Sequence, residues 1–313
     1  MITGGAGFIG SHLADALLAD GHAVRVLDDL STGRIENVDS RCEFIQADAT
    51  DPRAVHDVMD GVDGCFHLAA IASVERANEE WVDTHRVNQT ASVIVFDTAR
   101  QLGGIPVVYA SSAAVYGDVG AMSAREDMRP MPMTAYGADK YGTELHGFVG
   151  FSVHKVPNLG LRFFNVYGPR QDPLSPYSGV ISIFARHAAA GEAIVVHGDG
   201  GQTRDFVYVS DVVAHLVAGM NRLHKVGGVG VLNVCTGKAI SILALAKAIL
   251  RTQGRAGDTV THGAARAGDI RHSVGDPSAA QVLLGLHAGV TLEDGLEQTL
   301  ASVAESLALS VER

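Results

Sequence analysis

Residues 4 to 10 read Gly4-Gly5-Ala6-Gly7-Phe8-Ile9-Gly10, with glycines at 4, 7 and 10. Bare backbone at these three positions permits a tight passage from a strand into a helix. It also lets a pyrophosphate approach the first helical amides, where the helix dipole favours negative charge. The next apolar run, 22–28, ends in Asp28-Asp29 and continues into Ser31-Thr32-Gly33. An acidic residue there can bind ribose hydroxyls and repel a 2′-phosphate, which points to NAD rather than NADP. The same carboxylates can instead merely open a solvated turn, and Arg34 is a cation within reach of a 2′-phosphate. Asp48, after the third apolar run, suits an adenine contact or a plain turn. Only Met1, Ile2 and Thr3 precede the first glycine, whereas an inner strand usually takes about 5–6 residues. A start codon assigned too late is the expectation, and an intact mass of the native protein matching Met1 would contradict it.

Apolar runs at 22–28, 43–47, 64–68 and 105–110 alternate with helical stretches at 8–20, 53–60 and 81–102, the rhythm of βαβ units. The strand candidates are continuously apolar, as in a parallel sheet covered on both faces. A doubly wound α/β sheet follows. From residue 165 the rhythm loosens: loop-like NVYGPRQDPLSPYSG and HGDGGQTRDF interrupt helices near 180–190, 211–223 and 242–251. A smaller, irregular C-terminal substrate domain is expected, with domains at 1–164 and 165–313 and a shared cleft between them.

Composition narrows the function. Formal charge is −11 with no run of Lys or Arg, so a nucleic-acid or anionic-membrane partner is not expected. No stretch approaches the ~20 apolar residues of a membrane span, and no leader precedes the glycines. A cytoplasmic protein is expected. Cys42, Cys65 and Cys235 read as free thiols, and the fourteen histidines lack metal-ligand spacing, so no metal is expected.

Tyr136 and Lys140 lie four apart, on one face of a helix. A phenol titrates near 10, so it acts as a base at neutral pH only where positive charge stabilises the phenolate. The chain has only five lysines, which makes this one less casual, although Tyr-x-x-x-Lys alone is a common accident. Its company is more telling. The run 106–110 leads into Ser111-Ser112-Ala113-Ala114, small hydroxyls at the edge of the sheet where ligands bind in this architecture.

Together GGAGFIG, LDDLSTG, FHLAA, SSAAVYG, YGADK, RFFNVYGPRQDP, GQTRDFVYV and ARAGDIRHS resemble the extended short-chain dehydrogenase/reductase family, its UDP-glucose 4-epimerase branch above all, from residue 4 to about 296. The resemblance implies a Rossmann-type fold, NAD, a UDP-sugar substrate and a catalytic triad of Ser112, Tyr136 and Lys140. Cofactor contacts would fall on Gly4, Gly7, Phe8, Ile9, Gly10, Asp28, Asp29, Ser31, Thr32, Gly33, Asp48, Ala49, Leu68, Ala69, Ala70, Asn88, Ser111, Tyr136, Lys140 and Phe164. Substrate contacts would fall on Ser112, Asn165, Arg204, Arg266, Asp269 and Ser273. Arg204 beside Asp205 also reads as a simple ion pair, Arg266 as a solvated loop charge, and His197 as structural.

The implied reaction inverts C4 of a UDP-hexose through a 4-keto sugar, as in galactose metabolism, while NAD is regenerated. Dehydrating relatives carry Asp-Glu where this chain has Ala113-Ala114, which disfavours dehydration. Ser273 stands where relatives place a bulky aromatic, leaving room for an N-acetyl group. A UDP-glucuronate epimerase, needing a cation such as Arg170 or Arg186 near C6, is the nearer alternative, and a non-catalytic redox sensor the remoter one. Helices at 81–102 and 133–151 suit a homodimer.

Overall fold

A computed structural model of the chain describes residues 1–172, 179–265 and 270–311. Seven parallel strands build one sheet: β1 (Ile2–Thr3), β2 (Arg25–Asp28), β3 (Glu43–Gln46), β4 (Cys65–His67), β5 (Val107–Ser112), β6 (Asn158–Phe163) and the strand Val229–Val234. Their order is β3-β2-β1-β4-β5-β6, with Val229–Val234 on the outer side of β6. This is the expected Rossmann-type sheet. The order reverses between β1 and β4, where Thr3 pairs with Leu27 on one side and His67 on the other. Ligands of such sheets gather at the carboxyl ends of the strands around that point.

Successive side chains along each strand leave on opposite faces, so one run of apolar residues supplies two cores. Ile2, Val26, Val108 and Leu161 pack on one face, while Leu27, Cys65, Val107 and Tyr109 pack on the other. Both faces are apolar because helices cover both. A third cluster, including Ile181, Phe184, Leu245, Ile249 and Leu296, is built from the later part of the chain.

Three expectations change. The helix expected over 81–102 is interrupted: Trp81–His85 passes through a π-turn at Arg86–Thr90 before the helix Ala91–Gln101 resumes. The wide turn contains Asn88, whose carbonyl oxygen accepts the Ser92 hydroxyl at 2.7 Å. Such single-turn bulges are frequent at functional sites. The region after 165 is more regular than its glycines suggest. Asn165–Tyr167 pairs in parallel with Phe206–Tyr208, Val195–His197 with Thr261–Gly263, and Thr203–Arg204 lies between Ile240–Ser241 and His272–Ser273. The strand runs are also shorter than read, β2 beginning at Arg25, while β5 extends through Ser112. Among the described residues no helix is long and apolar enough to cross a membrane. All three cysteines are free, and burial raises the Cys65 thiol to about 11.

Candidate active site

The glycine turn leaves β1 directly. Gly4 has φ +72°, a left-handed conformation that favours glycine, and a Cβ on it would stand 2.7 Å from the Ala69 amide nitrogen. A Cβ on Gly10 would collide with the Gly4 carbonyl oxygen. The helix Phe8–Ala19 begins here with no side-chain cap and no acidic residue in its first turn. Its amino end is thus a cradle of backbone amides suited to a pyrophosphate. At the end of β2, Asp28 is 7% exposed, and its two oxygens accept the Ala6 and Leu30 amides at 2.9 Å each. Burial raises its pKa. Asp29 is exposed and accepts the Ser31 amide, while Gly33 packs so close that a Cβ there would meet Asp28 Oδ1 at 2.8 Å. Arg34 pairs with Asp172 at 2.8 Å. Asp48 accepts the Thr50 amide at 2.7 Å, as a turn-forming residue does, with Ala49 buried beside it.

Leu68, Ala69 and Ala70 follow β4 on the same edge of the sheet. Asn88 is fully buried and clamps Ile71, accepting from its amide at 2.7 Å and donating to its carbonyl at 3.1 Å. The Asn88 side chain therefore shapes the segment after β4. Ser111 is also buried, and its hydroxyl donates to Glu144 Oε1 at 2.5 Å. Its single proton is thereby committed to that carboxylate.

Ser112 ends β5, and its hydroxyl accepts the Ala114 amide at 3.1 Å. Tyr136 and Lys140 lie on the helix Ala135–His154, capped by Thr134, whose hydroxyl accepts the Gly137 amide. The nearby Ser112 hydroxyl lowers the pKa of the Tyr136 phenol, although burial raises it more. Lys140 Nζ lies 5.8 Å from the Tyr136 ring centre and donates to the Ala110 carbonyl at 2.9 Å. The structure therefore brings all three expected residues together at the carboxyl edge of β5.

Lys140 is 4% exposed, and burial lowers its pKa to about 8 despite the adjacent Asp139 carboxylate. Since an unfolded lysine titrates near 10.4, holding this ammonium costs the fold on the order of 3 kcal/mol below pH 8. That cost relaxes as pH rises from about 8 to about 10.4, because the folded protein releases the proton first. Lys140→Met is therefore expected to raise the unfolding free energy of the ligand-free protein at pH 7 by about 1–3 kcal/mol, an advantage that fades by about pH 10. Urea melts at the two pH values read this, and a variant less stable than the parent at pH 7 would contradict it.

Phe164 is buried, and Gly275 packs against its ring and against Cys235. Asn165 opens the next strand, its amide donating to the Asp205 carbonyl. Ser273 is the register partner of Arg204, whose Nη1 donates to the carbonyls of Thr203 and Ile270 at 2.8 Å each. Asp205 turns inward to accept from the Thr236, Gly237 and Gly275 amides and the Thr236 hydroxyl. Arg266 and Asp269 lie outside the described residues. His197 Nδ1 is 3.1 Å from the Ala264 carbonyl oxygen.

Comparison with known proteins agrees with this geometry. The sequence profile of the NAD dependent epimerase/dehydratase family matches residues 1–235. The chain belongs to the NAD-dependent epimerase/dehydratase family. It is 37% identical over 307 residues to a UDP-glucose 4-epimerase of Mycolicibacterium smegmatis, covering 96% of each chain. The crystal structure of a Thermotoga maritima UDP-glucose 4-epimerase with UDP-glucose superposes with a TM-score of 0.92 at 32% identity, covering 98% of both chains. A UDP-N-acetylglucosamine 4-epimerase from Methanobrevibacter ruminantium, in complex with UDP-N-acetylmuramic acid, gives 0.92 at 33% identity over 97% of each. NAD is the cofactor of this family, and the cradle at Gly4–Gly10 with Asp28 at the end of β2 fits it.

Sequence reasoning missed the support beneath the epimerase/dehydratase site. Arg162 Nε and Nη2 donate to the two oxygens of Glu144 at 2.8 and 2.7 Å, both side chains at most 3% exposed. The Arg162 guanidinium lies 4.7 Å from the Tyr116 ring centre, and the Tyr116 hydroxyl donates to Asn233 Oδ1 at 2.6 Å. Glu144 stands four residues after Lys140, so this network fixes the helix Ala135–His154 to β5 and β6. The available signals were the i, i+4 spacing and one arginine inside the apolar run of β6.

Proposed function

We propose that the chain inverts C4 of a UDP-hexose, with UDP-glucose and its C4 epimer as the principal pair, and that residues 1–164 serve mainly the cofactor and 165–313 mainly the sugar nucleotide. The observation that carries this reading is the convergence of Ser112, Tyr136 and Lys140 at the end of β5, beside the dinucleotide edge. Bound NAD supplies the reversible hydride acceptor. Tyr136 takes and returns the proton of the sugar 4-hydroxyl, Ser112 hydrogen-bonds the same oxygen, and the Lys140 charge favours the phenolate. Arg204 would hold the diphosphate end while the sugar turns over, as its planar fork suits phosphate oxygens.

Three features favour this reading over its rivals. Ala113 and Ala114 offer no acid or base for proton transfer at C5 or C6, as dehydration needs. Arg170 is engaged by Asp15 at 2.7 Å, which weakens its case as the cation a glucuronate would want. The intact triad speaks against a sensor that only binds NAD.

Ser273, beside Arg204, is small enough to leave space for an N-acetyl group. UDP-N-acetylglucosamine is accordingly expected to turn over as well as UDP-glucose, and Ser273→Tyr to lower turnover of the acetylated sugar by about 10–100-fold with UDP-glucose little affected. Proton NMR of each reaction reads the ratio; an unchanged ratio would refute the pocket assignment.

A homodimer is the assembly we infer. Trp81 and Val82 are 65% and 83% exposed, and Leu145, Phe148, Val149 and Val153 form a stripe along the helix Ala135–His154. An apolar stripe of this kind is suited to a second copy. Sedimentation should give twice the chain mass, and a monomer at micromolar concentration would contradict it. A cytoplasmic location fits the free thiols.

A further inference from the structure

His67 is a buried imidazole to which the reaction gives no role. It ends β4, faces its register partner Thr3 on β1, and is 4% exposed. Its Nδ1 lies 2.8 Å from Thr3 Oγ1 and its Nε2 lies 3.0 Å from Ser92 Oγ. The neighbours determine which way each bond runs. Thr3 Oγ1 accepts the Leu68 and Ala69 amides at 3.2 Å each, the former shared with the Thr3 carbonyl oxygen. Two N–H groups fill the two lone pairs of a hydroxyl oxygen, leaving its single proton to give away. At the other end, Ser92 spends its proton on the Asn88 carbonyl at 2.7 Å. The Ser92 oxygen then accepts from the ring; the Thr143 hydroxyl is 3.2 Å away, but its single proton also has the Asp139 carbonyl at 3.1 Å.

These constraints favour one arrangement: Thr3 donates to Nδ1, and Nε2–H donates to Ser92. The opposite tautomer would crowd a third N–H onto Thr3 and take Ser92 from its carbonyl. An imidazolium would meet the same crowding at Thr3. Burial, with Lys140 adding charge repulsion, lowers the pKa of His67 to about 3, in keeping with a neutral ring.

We propose that neutral His67, protonated at Nε2, is a positioning residue that locks the glycine turn, the segment after β4 and the Asn88 turn into one register for the dinucleotide. The chain of bonds runs from the Leu68 and Ala69 amides through Thr3, His67 and Ser92 to Asn88, whose side chain returns to Ile71. Thr3 immediately precedes Gly4, which packs against Ala69. A slip at His67 would therefore move both sides of the crevice between β1 and β4. The proposal rests on the reading of this sheet edge as the dinucleotide site, but the imidazole tautomer can be measured independently of it.

Long-range proton–nitrogen correlation NMR on the histidine-labelled full chain at pH 7 should show His67 neutral, with bare Nδ1 and protonated Nε2. Thr3→Val should raise the Kd for NAD about tenfold, the scale of one lost buried hydrogen bond, Thr3→Ser should restore it, and UDP binding should change in neither. A Nδ1–H tautomer or an imidazolium at pH 7 would overturn the proposal, and so would Thr3→Val binding NAD like the parent or Thr3→Ser losing as much as Thr3→Val. Absence of NAD binding in the parent itself would instead refute the cofactor edge. Should Thr3→Val fail to fold, the spectrum of the parent still decides the tautomer.

Discussion

Tyr136→Phe is expected to lower kcat by about 10²–10⁴-fold, the range attributable to one positioned acid–base group, while NAD stays bound. On the proposed function the phenol oxygen takes and returns the proton of the sugar hydroxyl, and Lys140 Nζ lies 5.8 Å from the Tyr136 ring centre. Phenylalanine keeps the ring and loses only that oxygen, so the fold and the cofactor edge should survive. Turnover of UDP-glucose by proton NMR, together with the NAD content of the purified variant, separates the two effects. Activity within threefold of the parent would remove Tyr136 from the chemistry.

Arg162→Leu is expected to cost about 3–5 kcal/mol of stability, because it strands the Glu144 carboxylate in the interior without its partner. The loss extends further, since Glu144 also holds Ser111 and the same guanidinium lies on the Tyr116 ring. Removing both charges in Arg162→Leu with Glu144→Leu should recover part of that loss, as replacing a whole buried pair with apolar groups is often near neutral. Denaturant melts of the single and double variants test this. A single variant as stable as the parent would mean that the pair contributes nothing to anchoring the helix Ala135–His154.

The parts of the molecule legible in the sequence are those with a local physical cause. The glycine turn could be read because only bare backbone fits against Ala69 and the Gly4 carbonyl. The parallel sheet could be read because doubly covered strands are continuously apolar, and Tyr136 and Lys140 because helical spacing puts them on one face. Groups whose role depends on distant partners were less visible. Asp28 reads as a ribose contact, yet its buried oxygens also hold Ala6 and Leu30. Ser111 and Ser112 are neighbours on one strand and look equivalent, but alternation sends the first to Glu144 and leaves the second at the site. The π-turn at Asn88 has no local composition signal, because it depends on where Ile71 and Ser92 come to lie. The short strands between 195 and 273 pair across long separations in sequence, and their glycines conceal them.

The most direct test of the central claim uses UDP-glucose carrying deuterium at C4, incubated with the full chain and NAD and followed by NMR and by absorbance of reduced cofactor. Inversion by oxidation and return at C4 predicts the C4 epimer with its deuterium retained at C4 and no net reduced NAD. Deuterium washed out to solvent, a dehydrated or decarboxylated product, or stoichiometric accumulation of reduced cofactor would contradict it.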